Sequence, residues 1–125
     1  MSALRILIAD DHELVRRGIR ALLEAETNWS VVADVGDGQK ALEEAQRMKP
    51  DVVILDISMP RLNGLEAARR FKKTHPEIKV LIVTMHDSEN VAREVLESGA
   101  RGCVTKSETA RDLVTAVSAL QRGKT

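Results

Sequence analysis

Residues 52–60 read Val-Val-Ile-Leu-Asp-Ile-Ser-Met-Pro, and this stretch decides the fold. Its run of four apolar residues predicts a short strand that is buried on both faces. The run ends at Asp56, whose carboxylate would be costly to bury unless it were paired. Pro60 ends the strand, and Asn63-Gly64 marks the start of a helix. Because ligands bind at the carboxyl ends of strands in open α/β sheets, we expect Asp56 to be the reactive residue.

Apolar runs alternate with helical patterns along the rest of the chain. Strands are predicted at residues 6–9, 31–35, 52–55, 78–83 and 102–105, and a helix follows each of them, the first at residues 13–25. Strict alternation predicts a parallel sheet with helices on both faces, and right-handed crossovers leave few topologies. We therefore expect one doubly wound α/β domain, a flavodoxin-like (βα)5 unit with strand order 2-1-3-4-5.

Length, charge, cysteine count and the apolar start of the chain limit the classes of protein to which it can belong. A chain of 125 residues predicts one domain. Its 19 basic and 19 acidic residues balance, which gives no reason to expect nucleic-acid or membrane-surface binding by this domain. The single cysteine excludes an internal disulfide and suits a reducing compartment. The apolar start is too short to span a membrane and lacks a cleavage site, so we expect a cytoplasmic protein.

The predicted topology brings polar residues from several strand ends to one edge of the sheet. Asp10 and Asp11 would lie beside Asp56, with Thr84 and Lys106 on its other side. Three carboxylates repel one another, and a hard divalent cation with oxygen ligands, Mg²⁺ where a phosphate shares the site, would relieve this. Lys106 suits a phosphate, and Thr84 can donate a hydrogen bond to it. Asp56 is then left as the nucleophile that forms an aspartyl-phosphate.

The ordered set of these residues resembles the receiver domain of two-component response regulators: Asp10-Asp11, Asp56-x-x-Met59-Pro60-x-x-x-Gly64, Thr84 and Lys106. The resemblance implies phosphoryl transfer from a sensor histidine kinase to Asp56. It also implies that Asp10 or Asp11, Asp56 and the backbone carbonyl of Ser58 hold Mg²⁺. Such a domain is a phosphorylation-controlled switch rather than an enzyme, since it catalyses only its own phosphorylation and dephosphorylation.

Both ends of the chain are similar to the NarL/FixJ (LuxR-type) subfamily, through Ile-Ala-Asp-Asp-His at residues 8–12 and Arg-Gly-Lys-Thr at residues 122–125. In that subfamily the receiver precedes a helix-turn-helix DNA-binding domain. The resemblance implies a receiver at residues 1–121 and, at residues 122–125, the start of a linker to such an output domain. Transcription control and DNA contact would belong to a longer parent protein, which would form a homodimer on phosphorylation. No membrane partner is expected.

Two positions depart from the family pattern and bear on the switch. Ser107 follows Lys106 where many receivers have proline, and Cys103 stands where they have an aromatic residue. The missing aromatic argues against a rotating side chain as the switch. We therefore expect the two states to differ mainly in the backbone at residues 84–88 and 106–107. The switch residues are then Thr84, His86 and Cys103, with the Cys103 side chain expected to keep one rotamer.

Simpler interpretations exist for several of these residues. Asp10 and Asp11 could cap the first helix. His12 and His86 are interpreted as solvent-facing rim residues rather than metal ligands. Cys103 is interpreted as a small semi-buried apolar residue rather than a redox sensor.

Three other functions compete with a phosphoacceptor switch. A flavodoxin-type carrier needs a phosphate-binding loop after the first strand, where this chain has two acids. An aspartyl-phosphate hydrolase would carry its nucleophile after the first strand in an Asp-x-Asp pattern, which is absent there. A pseudo-receiver that only binds partners would not need the full set of acceptor residues.

Overall fold

A computed structural model of the protein describes residues 4–57, 59, 62–84, 89–105 and 110–122. Within that part of the chain, five parallel strands lie in the order 2-1-3-4-5, which confirms the predicted doubly wound topology. The elements are β1 (Leu4–Ala9), α1 (Glu13–Glu24), β2 (Trp29–Val35), α2 (Gly38–Met48), β3 (Val52–Asp56), α3 (Gly64–Thr74), β4 (Lys79–Thr84), α4 (Glu89–Glu97), β5 (Gly102–Thr105) and α5 (Ala110–Gln121). None of the helices in the described residues is long and apolar enough to cross a membrane.

Strand β3 lies at the centre of the sheet, between β1 and β4, and all of its residues are buried. Its side chains alternate between two separate cores, one on each face of the sheet. Val53 and Leu55 pack with α2 and α3, through small residues of both helices and through Phe71. Val52 and Ile54 pack with residues of α1 and α5 on the opposite face. This double burial is what the uninterrupted apolar run predicted.

Strand β2 differs from the prediction in its length and its register. It begins at Trp29, two residues before the predicted start, because Trp29 pairs with Leu4 at the amino end of β1. The β1–β2 register then shifts between Ile6 and Leu7. A shift of one residue moves every following side chain to the other face of the sheet. Trp29 therefore packs in the core beneath α1 and α5, whereas Val35 packs in the other core.

Candidate functional site

The carboxyl ends of β1 and β3 bring three acids together. Asp10 follows β1 directly, Asp56 is the last residue of β3, and the two strands are paired with Ala9 opposite Leu55. One ligand atom from each of Asp10, Asp11, His12 and Asp56 lies within 4.8 Å of the others. The predicted juxtaposition of the acidic pair with Asp56 is therefore present in the structure.

Asp10 is held by two hydrogen bonds, one to β2 and one from the residue that precedes α1. Its backbone N–H donates to the Val35 carbonyl at 3.0 Å, and its Oδ1 accepts from the backbone N–H of His12 at 2.8 Å. The alternative that the acidic pair caps α1 is wrong, because the N-cap residue is His12, which makes no side-chain capping bond. The Asp10 carboxylate instead lies buried and directed into the cluster.

His12 contributes a contact that the sequence pattern did not indicate. Its Nδ1 lies 3.0 Å from Asp10 Oδ1, 3.1 Å from Asp11 Oδ1 and 3.8 Å from Asp56 Oδ2. The side chain is 58% exposed, as expected for a rim residue, but its ring nitrogen faces the carboxylates. The ring contacts depend on side-chain direction at the first turn of α1, for which neither spacing nor periodicity provides a signal.

Thr84 ends β4 next to the acidic cluster. It is fully buried, and it follows Val83, which is the register partner of Asp56. The Ile57 N–H donates to the Val83 carbonyl at 3.0 Å, which fixes the two strand ends against each other. Thr84 thus lies where the topology predicted it. The other predicted site residues, Ser58, His86, Lys106 and Ser107, lie outside the described residues.

Cys103 is exposed, which corrects the interpretation of this residue as semi-buried. It lies on β5, an edge strand, whose side chains alternate between the two faces of the sheet. Val104 takes the buried direction and packs in the core beneath α1 and α5. Cys103 therefore points toward the opposite face of the sheet, where its side chain is exposed.

Two glycines let the segment between β3 and α3 pack closely against its neighbours. A Cβ at Gly64 would lie 2.2 Å from the Asp56 carbonyl oxygen, and one at Gly38 would lie 2.2 Å from the Leu62 carbonyl oxygen. The N–H groups of these glycines donate to Ile57 and Leu62 carbonyls at 3.0 and 3.1 Å. The two helix starts therefore hold both ends of the segment that follows Asp56.

Helix α3 begins as the sequence predicts. Asn63 is its N-cap, and the Asn63 side chain accepts from the Glu66 N–H at 2.9 Å. A capping residue of this type satisfies one of the amide donors that the first turn leaves open. The helix start therefore has a fixed position relative to the end of β3.

The chemistry of the donor set fits a hard divalent cation. The cluster offers carboxylate oxygens from Asp10, Asp11 and Asp56, and Mg²⁺ binds through one or two carboxylates while keeping several waters. Imidazole nitrogen suits transition metals better than Mg²⁺, so His12 is a neighbour of such a site rather than an expected ligand. The carboxylates among the described residues are therefore ligands of the kind that Mg²⁺ binds.

Comparison with known proteins identifies the family. The family model for the response regulator receiver domain matches residues 6–118. The chain is 40% identical over 120 residues to the transcriptional regulatory protein DegU of Brevibacillus brevis, covering 96% of this chain and 51% of DegU. It is 39% identical over 123 residues to the oxygen regulatory protein NreC of Staphylococcus haemolyticus, covering 98% of this chain and 57% of NreC.

Solved structures give the same result. The signal receiver domain of the response regulator NarL from Mycobacterium tuberculosis superposes with a TM-score of 0.94 at 31% identity, covering 99% of this chain and all of that one (100%). A two-component response regulator of the LuxR family from Aurantimonas sp. SI85-9A1 has a TM-score of 0.94 at 36% identity, covering 98% of this chain and 88% of that one.

The fold and the carboxylate cluster of Asp10, Asp11 and Asp56 define a phosphorylation-controlled signalling domain. The chain belongs to the response regulator receiver domain family. Its relatives include LuxR-family response regulators, which confirms the resemblance found in the sequence. Receiver domains generally bind Mg²⁺ at an acidic pocket. The chain spans about half the length of the curated relatives it matches, 51% of DegU and 57% of NreC.

Proposed function

We propose that Asp56 is the phosphoacceptor of this receiver domain and that Asp10, Asp11 and Asp56 hold Mg²⁺. The observation that carries the proposal is the convergence of these carboxylates within 4.8 Å at adjacent strand ends. Asp56 is the member that lies at the end of the central strand, between the acidic pair and Thr84. A phosphoryl donor approaching this edge would therefore meet the Asp56 carboxylate with functional groups on both sides.

The transfer is a single displacement at phosphorus. An Asp56 carboxylate oxygen forms the new P–O bond while the bond between phosphorus and the leaving group of the donor breaks. Such a reaction requires positioning and charge stabilisation more than acid–base chemistry. When bound, Mg²⁺ neutralises charge between the carboxylates and the phosphoryl oxygens. Asp10, Asp11 and Asp56 would hold the cation, and Asp56 also supplies the nucleophilic oxygen.

The remaining site residues act on the phosphoryl group and on the metal. Thr84 donates its hydroxyl to a phosphoryl oxygen, and Lys106 supplies an ammonium to another. The Ser58 backbone carbonyl is the further metal ligand. Thr84, His86 and Cys103 form the switch region that responds to phosphorylation. The roles of Thr84, Lys106 and Ser58 come from the family pattern, and Thr84 has support from its buried position beside Asp56 at the end of β4.

The relatives support a proposal for the cellular role. Response regulators receive phosphoryl groups from sensor histidine kinases and act through an output domain. We place the receiver at residues 1–121 and the start of a linker at residues 122–125, with a helix-turn-helix DNA-binding domain following in a longer parent protein that dimerises on phosphorylation and acts in the cytoplasm. The domain itself turns over no substrate beyond its own phosphorylation and dephosphorylation.

Intact mass measured after incubation with acetyl phosphate and Mg²⁺ tests the proposal. We expect a mass gain of one phosphoryl group in the wild-type chain and none in Asp56→Asn. Asp51→Asn is the matched control, because Asp51 directly precedes β3, at the opposite end from Asp56, and is also a carboxylate. Labelling of Asp56→Asn at the wild-type level would refute the assignment of the acceptor.

Metal dependence is a second arm of the same experiment. With a chelator in excess, we expect the wild-type chain to remain unlabelled, since the acidic cluster must be neutralised before an anion can approach. Restoring Mg²⁺ should restore labelling in wild type and Asp51→Asn alike. Full labelling in chelator would show that the acids do not act through a metal.

A further inference from the structure

The peptide unit between Asp10 and Asp11 is contacted by an arginine that no motif of the family assigned to the site. Arg16 lies on α1, one turn after the acidic pair, and its side chain is 19% exposed. Its Nη1 donates to the Asp10 carbonyl oxygen at 2.6 Å, and its Nε donates to Asp34 Oδ1 at 3.0 Å. The guanidinium thus joins α1, β2 and the loop after β1.

The contact with the Asp10 carbonyl bears on both acids of the pair. This carbonyl belongs to the planar peptide unit that links Asp10 to Asp11, so its direction fixes the plane from which both side chains depart. The amino side of Asp10 is already fixed by its N–H bond to the Val35 carbonyl. Arg16 supplies the corresponding anchor on the carboxyl side.

The register shift in β2 places Asp34 where Arg16 can reach it. Before the shift, Val31 packs in the core beneath α1 and α5, and after it Ala33 packs on the opposite face. Asp34, next to Ala33, therefore points to the α1 side. There its carboxylate accepts from Arg16 and, through its second oxygen, from Arg20 Nη1.

We infer that Arg16 is a positioning residue of the metal site: it orients the Asp10–Asp11 peptide unit, with Asp34 holding the guanidinium in place. This inference rests on the proposed function for its metal-binding consequence. A guanidinium can serve both acceptors at once because its donors form a planar fork, whereas an ammonium is a single point charge. A group that hydrogen-bonds to a metal ligand, and so fixes the orientation of that ligand, changes the metal affinity without contacting the ion.

Arg20 provides a matched control on the same helix. It binds the same Asp34 carboxylate, and this hydrogen bond raises the pKa of the Arg20 guanidinium above its ordinary value. Its other carboxylate partner is Glu24, one turn further along α1. Arg16→Met and Arg20→Met therefore each remove one cation and one bond to Asp34, but only the first also removes the bond to the Asp10 carbonyl.

Calorimetric titration with Mg²⁺ separates positioning from simple charge effects. Loss of a nearby cation alone would leave Mg²⁺ binding equal or tighter in both variants. Positioning predicts weaker binding, by about 10-fold or more, in Arg16→Met and not in Arg20→Met. The inference is overturned if Arg16→Met binds Mg²⁺ as tightly as the wild type does.

Two further measurements keep the test decisive. Arg16→Lys and Arg20→Lys retain the net charge, and we expect only Arg16→Lys to weaken Mg²⁺ binding. This pair of variants replaces the methionine pair if the methionine variants fail to fold. In the metal-free protein, the Asp11 amide resonance should shift in Arg16→Met and stay unchanged in Arg20→Met. Equal shifts in both variants would overturn the inference.

Absence of Mg²⁺ binding by the wild type would instead refute the proposed function. The shift of the Asp11 amide resonance in the metal-free protein would still decide the role of Arg16.

Discussion

Charged residues at the carboxyl end of the sheet lie beside like charges, whereas those at the amino end bind groups of opposite polarity. At the carboxyl end, like charges come together: one oxygen from each of Asp10, Asp11 and Asp56 lies in a single cluster that also contains a nitrogen of His12. Asp10 and Asp56 are both buried there. Like charges at such distances destabilise the folded chain unless something of opposite charge joins them.

At the amino end, charged groups bind backbone groups of complementary polarity. Arg5 Nη2 donates to the Met48 carbonyl at 2.6 Å, and Lys79 Nζ donates to the Leu120 carbonyl at 2.6 Å, so each cation lies at the last turn of a helix. Asp51 Oδ2 accepts from the Arg5 N–H at 2.9 Å. Both cations satisfy carbonyls that a helix end leaves without an intrahelical partner.

The difference separates structural from functional use of charge within one fold. Charges at the amino end complete the hydrogen bonding of helix and strand ends, so their removal should weaken the fold. At the carboxyl end, three carboxylates lie in a small volume and repel one another, so removal of one of them should strengthen the fold and abolish its chemistry. This conflict between stability and site is typical of functional positions.

The largest expected effect concerns the main chain at the carboxyl end of β3, which carries Asp56. Gly64→Ala places a Cβ 2.2 Å from the Asp56 carbonyl oxygen and 2.9 Å from the Ile57 Cα, so the main chain itself must move. We expect a loss of about 3 kcal/mol in the free energy of unfolding, the upper part of the usual range for overpacking. Urea denaturation measures it.

Gly18→Ala is the control for this substitution. Gly18 lies within α1, and a Cβ there would meet nothing within 4 Å. The same chemical change should therefore stabilise the protein, by about 0.5–1 kcal/mol, because alanine is the better helix former. A Gly64→Ala variant as stable as wild type would show that the loop after β3 is not held as closely as the geometry indicates.

The next effect tests the comparison directly, through opposite signs at the two ends of β3. In chelator, Asp56→Asn should raise the free energy of unfolding by about 1 kcal/mol, because it removes one of several like charges. Asp51→Asn should lower it by about 0.5–1.5 kcal/mol, because the Arg5 N–H loses a charged acceptor. Urea denaturation of both variants at low salt provides the measurement. Destabilisation by both substitutions would contradict the proposed division of roles.

Sequence alone predicted the parts of this molecule that depend on pattern. The alternation of apolar runs and helical spacing predicted the sheet order, and the switch-point rule then predicted that Asp10 and Asp11 would lie beside Asp56. Both results need only the order of elements along the chain. The start of α3 at Asn63-Gly64 was predictable for a similar reason, because a helix cap is a local sequence signal.

Features that depend on local register or side-chain direction were not predictable. The β2 register shift puts Asp34 on the α1 side, and a regular strand with the same residues would have put it on the other face. The Arg16 hydrogen bond to Asp34 depends on that shift. Similarly, Cys103 is exposed because it lies on the edge strand β5 and points away from the core that holds Val104, which short apolar spacing does not reveal.

The smallest expected effect uses the one tryptophan of the chain, since Trp29 lies at the amino end of the sheet. From Trp29 to Val35, beside the acidic edge, β2 runs six residue steps, or about 20 Å at roughly 3.3 Å per residue. We expect Mg²⁺ to leave the Trp29 emission unchanged at concentrations that shift the thermal unfolding midpoint. Urea unfolding should change the emission, because Trp29 is packed against the core beneath α1 and α5, and this control establishes that the probe responds to its surroundings. Strong quenching that saturates together with the thermal shift would mean that metal binding is transmitted along β2, and the two ends of the sheet would then not be independent.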